Sequence, residues 1–144
     1  MPASSPPSAF ADTVPDPVAQ SGHLLYIEDN PVNQLVVQEL VAQRPHLSLT
    51  CAPDGRQGLA RALGESPDLI LLDMQLPDLD GYQVLRALRA DPRTADLRCI
   101  ALSANAMPED IRRARAAGFD DYWTKPIDFK LFLAGLDRLF PPRP

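Results

Sequence analysis

Residues 68–77 read DLILLDMQLP, and this stretch decides the fold. Its four apolar residues, Leu69–Leu72, form a continuous run that ends at the carboxylate of Asp73. A short run that is apolar throughout is typical of a strand covered on both faces in a parallel sheet. The stretch therefore predicts an α/β fold, and it raises the question of what Asp73 does at the end of a buried strand.

Short apolar runs alternate with helical patterns on both sides of this stretch. The other predicted strands are His23–Ile27, Leu47–Cys51, Cys99–Leu102 and Asp121–Thr124. The predicted helices begin near Pro31, Asp54, Gly81, Pro108 and Phe129. Five strands alternating with five helices predict a doubly wound α/β fold, in which a parallel sheet carries helices on both faces.

The apolar spacing of two helices predicts which side chains they bury. The second helix is expected to turn Leu59, Ala62 and Leu63 inward. The last helix is expected to bury its apolar stripe, which comprises Phe129, Phe132, Leu133, Leu136 and Phe140.

Composition excludes several classes of protein. The formal net charge is −5 and the pI is about 4.9, which argues against direct binding of nucleic acid. No apolar run has the length of a membrane span, and no signal peptide is recognisable, so we expect a cytoplasmic protein. Cys51 and Cys99 stand singly within apolar segments, which predicts reduced core residues rather than thiolate metal ligands.

The distribution of prolines predicts the limits of the folded unit. Five prolines lie in the first twenty residues, where serine and alanine are also frequent, and three lie in the last four. Residues 1–21 are therefore predicted to be a flexible leader or linker, and residues 141–144 a disordered tail. The folded domain is predicted to span residues 22–140.

Polar side chains follow four of the five predicted strands at the point where each strand ends. The first strand is followed by Glu28 and Asp29, the third by Asp73, the fourth by Ser103 and the fifth by Lys125. In a parallel sheet these strand ends share one edge, so the side chains are expected to converge there. This placement is the main functional signal in the sequence.

Three carboxylates at one edge repel one another, and they all remain ionised if a hard divalent cation lies among them. Oxygen ligands without cysteine or histidine favour Mg²⁺, with Mn²⁺ as the alternative. A hydroxyl and an ammonium beside such a cation suit a phosphoryl group. A carboxylate can serve as the nucleophile and form an acyl phosphate, and the central position of Asp73 makes it the candidate. Lys125 is one of two lysines in a chain of twelve arginines, and a compact ammonium suits contact with a single phosphate oxygen.

Several motifs in order resemble the receiver domain of two-component response regulators, and the resemblance covers residues 22–140. The stretches that carry it are LLYIEDNPVNQLVV, APDGRQGLARAL, PDLILLDMQLPDLDGYQVLRALR and IALSANAMPEDIRRARAAGFDDYWTKPID, together with the last amphipathic helix. The resemblance implies a flavodoxin-like sheet with strand order 2-1-3-4-5. Residues 29–33, DNPVN, and residues 103–106, SANA, are most similar to receivers of hybrid sensor histidine kinases.

The resemblance also implies roles for the acidic residues. Asp73 corresponds to the phospho-acceptor. Glu28 and Asp29 correspond to the acidic pair that holds Mg²⁺, with Asp29 the more direct ligand. The backbone carbonyl of Gln75 corresponds to a further ligand.

Three more positions match residues that sense the phosphoryl group in this family. Lys125 and Ser103 correspond to the lysine and the hydroxyl that contact it, and Tyr122 corresponds to an aromatic switch on the fifth strand. Movement of Ser103 is expected to make room for the Tyr122 ring to turn inward. The Lys125-Pro126 peptide bond is expected to be cis.

The implied function is that of a phosphorelay module. A histidine kinase or histidine phosphotransfer domain would be the partner, and the chain would act within a hybrid kinase or as a stand-alone receiver. It would be a signalling acceptor rather than an enzyme, although it would catalyse its own phosphorylation and dephosphorylation. We expect no contact with nucleic acid or membrane, and possible dimerisation would use the fourth helix, fifth strand and last helix.

Other classes of protein remain open at this stage. A pseudo-receiver would keep the fold and act only as a binding module, but every reactive position is filled here. A haloacid-dehalogenase-like phosphatase would have a second aspartate two residues after the nucleophile, where this chain has Gln75. A flavodoxin-like FMN binder would have a loop of hydroxyls and glycines after the first strand, where this chain has residues 28–31, EDNP.

Overall fold

The computed structural model describes residues 21–141, in which five strands alternate with five helices. The strands are β1 (Gly22–Ile27), β2 (Leu47–Ala52), β3 (Leu69–Asp73), β4 (Arg98–Ser103) and β5 (Asp121–Thr124). The helices are α1 (Pro31–Val41), α2 (Gly55–Glu65), α3 (Gly81–Ala90), α4 (Pro108–Ala117) and α5 (Phe129–Leu139). Among these described residues, no helix is both long and apolar enough to cross a membrane.

The sheet is parallel throughout, with strand order β2-β1-β3-β4-β5. The predicted fold class and strand order are therefore confirmed. β3 is the central strand, and all five of its residues are buried. Its position explains the continuous apolar run, because a strand with helices on both faces has no solvent-facing side.

Two apolar clusters fill the spaces between the sheet and the helices on its two faces. On β1, Tyr26 belongs to one cluster and Ile27 to the other, as the alternation of side chains along a strand requires. β5 divides in the same way: Tyr122 packs in one cluster, and Trp123 packs in the other with its ring edge-on to Phe132. The domain therefore has three layers, with the sheet between two layers of helices. Polar residues lie at the carboxyl edge of the sheet.

The helix α2 buries a different set of residues from the predicted one. Ala62 is buried and Leu59 packs partly against the core, as predicted, but Leu63 is 40% exposed and Gly58 takes the inner position. A Cβ placed on Gly58 would lie 2.4 Å from Ile27 Cδ1, so glycine is what allows α2 to approach β1 this closely. The prediction for Leu63 was wrong because it considered only the spacing of apolar side chains, whereas Gly58, which has no side chain, faces the sheet.

α5 buries Phe132 and Leu136, as predicted, and Leu133 packs partly against the core; Phe140 is also buried, but it follows the last residue of the helix. The prediction that Phe129 is buried was wrong, since this first residue of the helix is 57% exposed. Helix α1 leaves Val32 and Leu35 exposed while it buries residues nearer its end. The beginnings of α1 and α5 therefore present apolar side chains to solvent.

Candidate functional site

The carboxyl edge of the sheet gathers the polar residues that follow the strands. Single carboxylate oxygens of Glu28, Asp29 and Asp73 all lie within 4.8 Å of one another. These three residues line a cleft of about 280 Å³ together with Ser103 and Lys125. Gln75, the residue expected to offer its carbonyl oxygen, lines the same cleft. The convergence expected from a parallel sheet is present.

Lys125 lies between two of these carboxylates. Its ammonium nitrogen is 2.8 Å from Glu28 Oε1 and 3.3 Å from Asp73 Oδ1. Only 19% of its side chain is exposed, so it is not a surface lysine. The Lys125-Pro126 peptide bond is cis, in agreement with the expectation from the family.

The acidic residues differ in their protonation behaviour. Burial and the nearby charge of Glu28 raise the pKa of Asp73 to about 6, although Lys125 opposes this shift. Burial also disfavours ionisation of Glu28, but hydrogen bonding, mainly from Lys125, outweighs it and lowers the pKa of that carboxyl. The Lys125 ammonium therefore stabilises the ionised form of Glu28 more than it stabilises the ionised form of Asp73.

The donor set at this edge fits a hard divalent cation. Asp29 is exposed and Asp73 is buried, so the cluster offers oxygen atoms both to solvent and to the interior. Burial and the charge of Glu28 raise the pKa of Asp73, and a cation among the carboxylates would oppose this shift. Carboxylate and carbonyl oxygens are the ligands that Mg²⁺ takes in proteins.

Two residues that contact Glu28 were missed by the sequence analysis. The buried Tyr26 donates its hydroxyl proton to Glu28 Oε1 at 2.9 Å, and Asn33 donates to the same oxygen at 3.2 Å. Tyr26 and Glu28 are two positions apart along the first strand and its end, a spacing that puts side chains on one face. The signal available for Tyr26 was a polar ring two residues before an acidic residue. The contact between Asn33 and Glu28 could not be predicted in this way, because it depends on where α1 lies.

The two predicted switch residues both form hydrogen bonds with the backbone of Asn105. The N–H of Asn105 donates to Ser103 Oγ at 3.1 Å, and the Tyr122 hydroxyl donates to the Asn105 carbonyl. The sequence analysis expected the Tyr122 ring to turn inward after Ser103 moves, but Tyr122 is already 2% exposed while Ser103 is bonded to the loop. The acceptor of the Tyr122 hydroxyl lies in the loop between β4 and α4. This hydrogen bond keeps the ring in its buried position.

A groove of about 440 Å³ adjoins the acidic cleft. Lys125 and Asn33 line both the groove and the cleft, so the two are neighbours. The apolar part of its lining is Val36, Ala104, Pro126, Ile127 and Phe129. Val32 and Leu35, at the beginning of α1, are exposed apolar residues that do not line the groove.

The sequence is similar to regions of much longer signalling proteins. A family model described as the response regulator receiver domain matches residues 24–137. Transcriptional regulatory protein CseB of Streptomyces coelicolor is 38% identical over 117 residues, which are 81% of this chain and 48% of that protein. Sensor protein GacS of Pseudomonas syringae pv. syringae is 33% identical over 126 residues, 85% of this chain and 14% of that protein. The chain thus spans about half the length, or less, of these curated relatives.

Solved structures share the fold over most of the chain. The receiver domain of sensor histidine kinase PA1611 from Pseudomonas aeruginosa PAO1 is 35% identical, with a TM-score of 0.74, and it covers 83% of this chain and 98% of its own. That structure is described with a magnesium ion coordinated in its active site cleft. Chemotaxis protein CheY4 of Vibrio cholerae has a TM-score of 0.75 at 23% identity over 83% of this chain and 98% of its own, and it shows the same fold.

Proposed function

This chain belongs to the response regulator receiver domain family, and from that premise we propose that Asp73 accepts a phosphoryl group from a phosphohistidine on a partner protein. Receiver domains are the phospho-acceptors of two-component signalling, and phosphorylation on aspartate is general to the family. The module transfers the group to itself and later releases it, so it is a signalling acceptor rather than an enzyme with a separate substrate. It acts within a hybrid histidine kinase or as a stand-alone receiver.

The observation that supports this proposal is the arrangement around Asp73. Its carboxylate lies at the centre of the sheet edge, within 4.8 Å of two other acidic groups and 3.3 Å from the ammonium of Lys125. This combination of nucleophile and compact cation is what phosphoryl transfer to a carboxylate requires. A pseudo-receiver would not need it.

In the proposed reaction, a carboxylate oxygen of Asp73 attacks the phosphorus of the partner's phosphohistidine. The P–N bond breaks as the new P–O bond forms, and the imidazole keeps the electron pair and takes a proton from solvent. Lys125 provides positive charge beside the phosphoryl oxygens during transfer. Ser103 lines the same cleft and is the hydroxyl that senses the product.

Magnesium is the proposed cofactor, with manganese as the alternative. Asp29, Asp73 and the backbone carbonyl of Gln75 would hold the cation, and Glu28 would complete the acidic set. When bound, the cation neutralises charge on the transferring phosphoryl group and on the carboxylates. The magnesium described for the related receiver of PA1611 supports this assignment.

The partner is a histidine kinase or a histidine phosphotransfer domain, and we propose that it docks on the apolar groove beside the cleft. Phe129, which lines the groove, is 57% exposed, and Val32 and Leu35 at the beginning of α1 are 66% and 56% exposed, which is unusual for large apolar residues. Lys125 lines both groove and cleft, so a histidine carried by a docked partner would come next to Asp73. The cytoplasmic location and dimerisation through α4, β5 and α5 stay predictions.

Phosphorylation by a small-molecule donor tests the proposed function directly. Incubation with acetyl phosphate and Mg²⁺ should add one phosphoryl group to the protein, as measured by intact mass, and chelation of the metal should prevent it. Asp73→Asn should abolish the addition, whereas Asp80→Asn, which changes the side chain that caps α3, should retain it. Phosphorylation of the Asp73→Asn protein to the wild-type extent would reject the acceptor assignment.

A further inference from the structure

The carboxylate of Glu28 is surrounded by hydrogen-bond donors from several elements. Oε1 accepts from the Tyr26 hydroxyl at 2.9 Å, from Asn33 Nδ2 at 3.2 Å and from Lys125 Nζ at 2.8 Å. Oε2 accepts from the backbone N–H of Asn30 at 3.2 Å. Each carboxylate oxygen has about two acceptor sites, so the three donors saturate Oε1, while Oε2 keeps one site open. Glu28 is 1% exposed and is held from three directions.

The hydroxyl of Tyr26 has no apparent packing role. The ring is fully buried in the cluster on its side of β1, where a phenylalanine would occupy the same volume. A buried hydroxyl costs free energy unless it is hydrogen-bonded. Compared with phenylalanine at this position, tyrosine therefore contributes only the hydrogen bond to Glu28. Asn33 adds a second bond from α1, and the two residues fix the orientation of Glu28.

Glu28 in turn determines where the ammonium of Lys125 lies. The distance from Lys125 Nζ to Glu28 is 2.8 Å, shorter than the 3.3 Å to Asp73. Lysine has a long and flexible side chain, so its charged end takes a defined position only when an acceptor is itself fixed. The chain of contacts therefore runs from Tyr26 and Asn33 through Glu28 to Lys125, and ends beside Asp73.

We propose that Tyr26 and Asn33 are positioning residues, which act through Glu28 to hold the Lys125 ammonium beside Asp73. Nothing in the proposed function assigns these residues a role. The inference rests on that function only in taking Asp73 as the acceptor. The contacts themselves require neither a bound metal nor a phosphoryl group, so they are open to test in the resting protein.

The first test observes Lys125 directly in metal-free buffer. The chain has two lysines, Lys125 and the exposed Lys130, so proton–nitrogen NMR of the side-chain ammonium groups should give two signals, assigned with Lys130→Arg. In the wild type, the ammonium protons of Lys125 should exchange with water more slowly than those of Lys130. In Tyr26→Phe combined with Asn33→Ala, exchange at Lys125 should accelerate by about three- to tenfold, as expected for loss of hydrogen bonds to a charged group.

The matched control is Tyr82→Phe, which removes a half-buried hydroxyl away from Glu28 and should leave exchange at Lys125 unchanged. Asn33→Ala alone, a change on a helix surface, provides the measurement if the double variant does not fold. An unchanged exchange rate at Lys125 in these variants would overturn the proposal, whatever the outcome of phosphorylation.

The second test asks whether the position of Lys125 matters for the reaction. With acetyl phosphate and saturating Mg²⁺, the double variant should be phosphorylated about three- to tenfold more slowly than wild type. Faster ammonium exchange with an unchanged phosphorylation rate would overturn the role in the reaction. Failure of the wild type to be phosphorylated would reject the proposed function instead. The exchange measurement would still decide whether Tyr26 and Asn33 position the Lys125 ammonium.

Discussion

Ser103 and Tyr122 are joined through the backbone of Asn105, which donates its N–H to Ser103 Oγ and accepts the Tyr122 hydroxyl proton at its carbonyl. These two residues lie on neighbouring strands and are the proposed sensors of the phosphoryl group. Because both bond to the backbone of the same residue, we expect a change at Ser103 to reach Tyr122 through the loop between β4 and α4. A switch of this kind needs a bias of only a few kcal/mol between two packings.

Removal of the Tyr122 hydroxyl should loosen that loop. Tyr122→Phe keeps the ring but loses the bond to Asn105, so amide hydrogen exchange at residues 104–107 should become faster. The free energy of unfolding should fall by about 0.5–1.5 kcal/mol, the usual net contribution of one hydrogen bond. Tyr82→Phe is the control, and equal acceleration of exchange in both variants would contradict the proposed coupling.

The raised pKa of Asp73 predicts a pH-dependent stability in metal-free buffer. Burial and the charge of Glu28 raise this pKa from its ordinary value of 3.8 to about 6, which means that the folded state favours the protonated form. The resulting stabilisation is complete below pH about 4 and is lost as the pH rises through 6. Asp73→Asn should therefore match wild type near pH 4 and exceed its free energy of unfolding by about 1–3 kcal/mol at pH 7.

Chemical denaturation at a series of pH values measures this difference. Asp96→Asn, which removes the charge of an exposed carboxylate, serves as the control for the loss of a negative charge. A pH-independent difference for Asp73→Asn would show that the carboxylate is not destabilised by its surroundings.

Two glycines of the same helix should respond oppositely to alanine. A Cβ on Gly58 would lie 2.4 Å from Ile27, whereas Gly64 has open space around it. Gly58→Ala should lower the free energy of unfolding by about 1–3 kcal/mol through overpacking. Gly64→Ala should raise it by about 0.5–1 kcal/mol, since alanine is the better helix former. Equal effects of the two changes would argue against close packing of α2 on β1.

A charge in the apolar groove should separate the two routes of phosphorylation. Phe129→Asp should slow transfer from a phosphorylated histidine phosphotransfer domain by about tenfold or more, because a partner docked on the groove would bury that charge. Phosphorylation by acetyl phosphate should not change, since Phe129 does not line the acidic cleft. Leu63→Asp introduces the same charge at an exposed leucine of α2, and an equal loss there would reject the assigned docking surface.

Much of the site was predictable because strand ends in a parallel sheet share an edge. The continuous apolar run before Asp73 identified a central strand, and Glu28, Asp29, Ser103 and Lys125 followed from the same rule. The inner faces of the helices were less predictable. Leu63 and Phe129 have the spacing of buried residues, yet both are exposed. In α2 the contact with the sheet is made at Gly58, and in α5 it is made by later turns of the helix.

The sequence by itself determined the order of elements, the parallel sheet and the residues at its carboxyl edge, because these depend on local apolar patterns and on the rules of chain connection. Only the tertiary structure decided how those residues pair. The bonds from Tyr26, Asn33 and Lys125 to one oxygen of Glu28 come from β1, from α1 and from the segment that follows β5. Side-chain direction and helix position set such contacts to within an ångström, and no pattern along the chain contains that information.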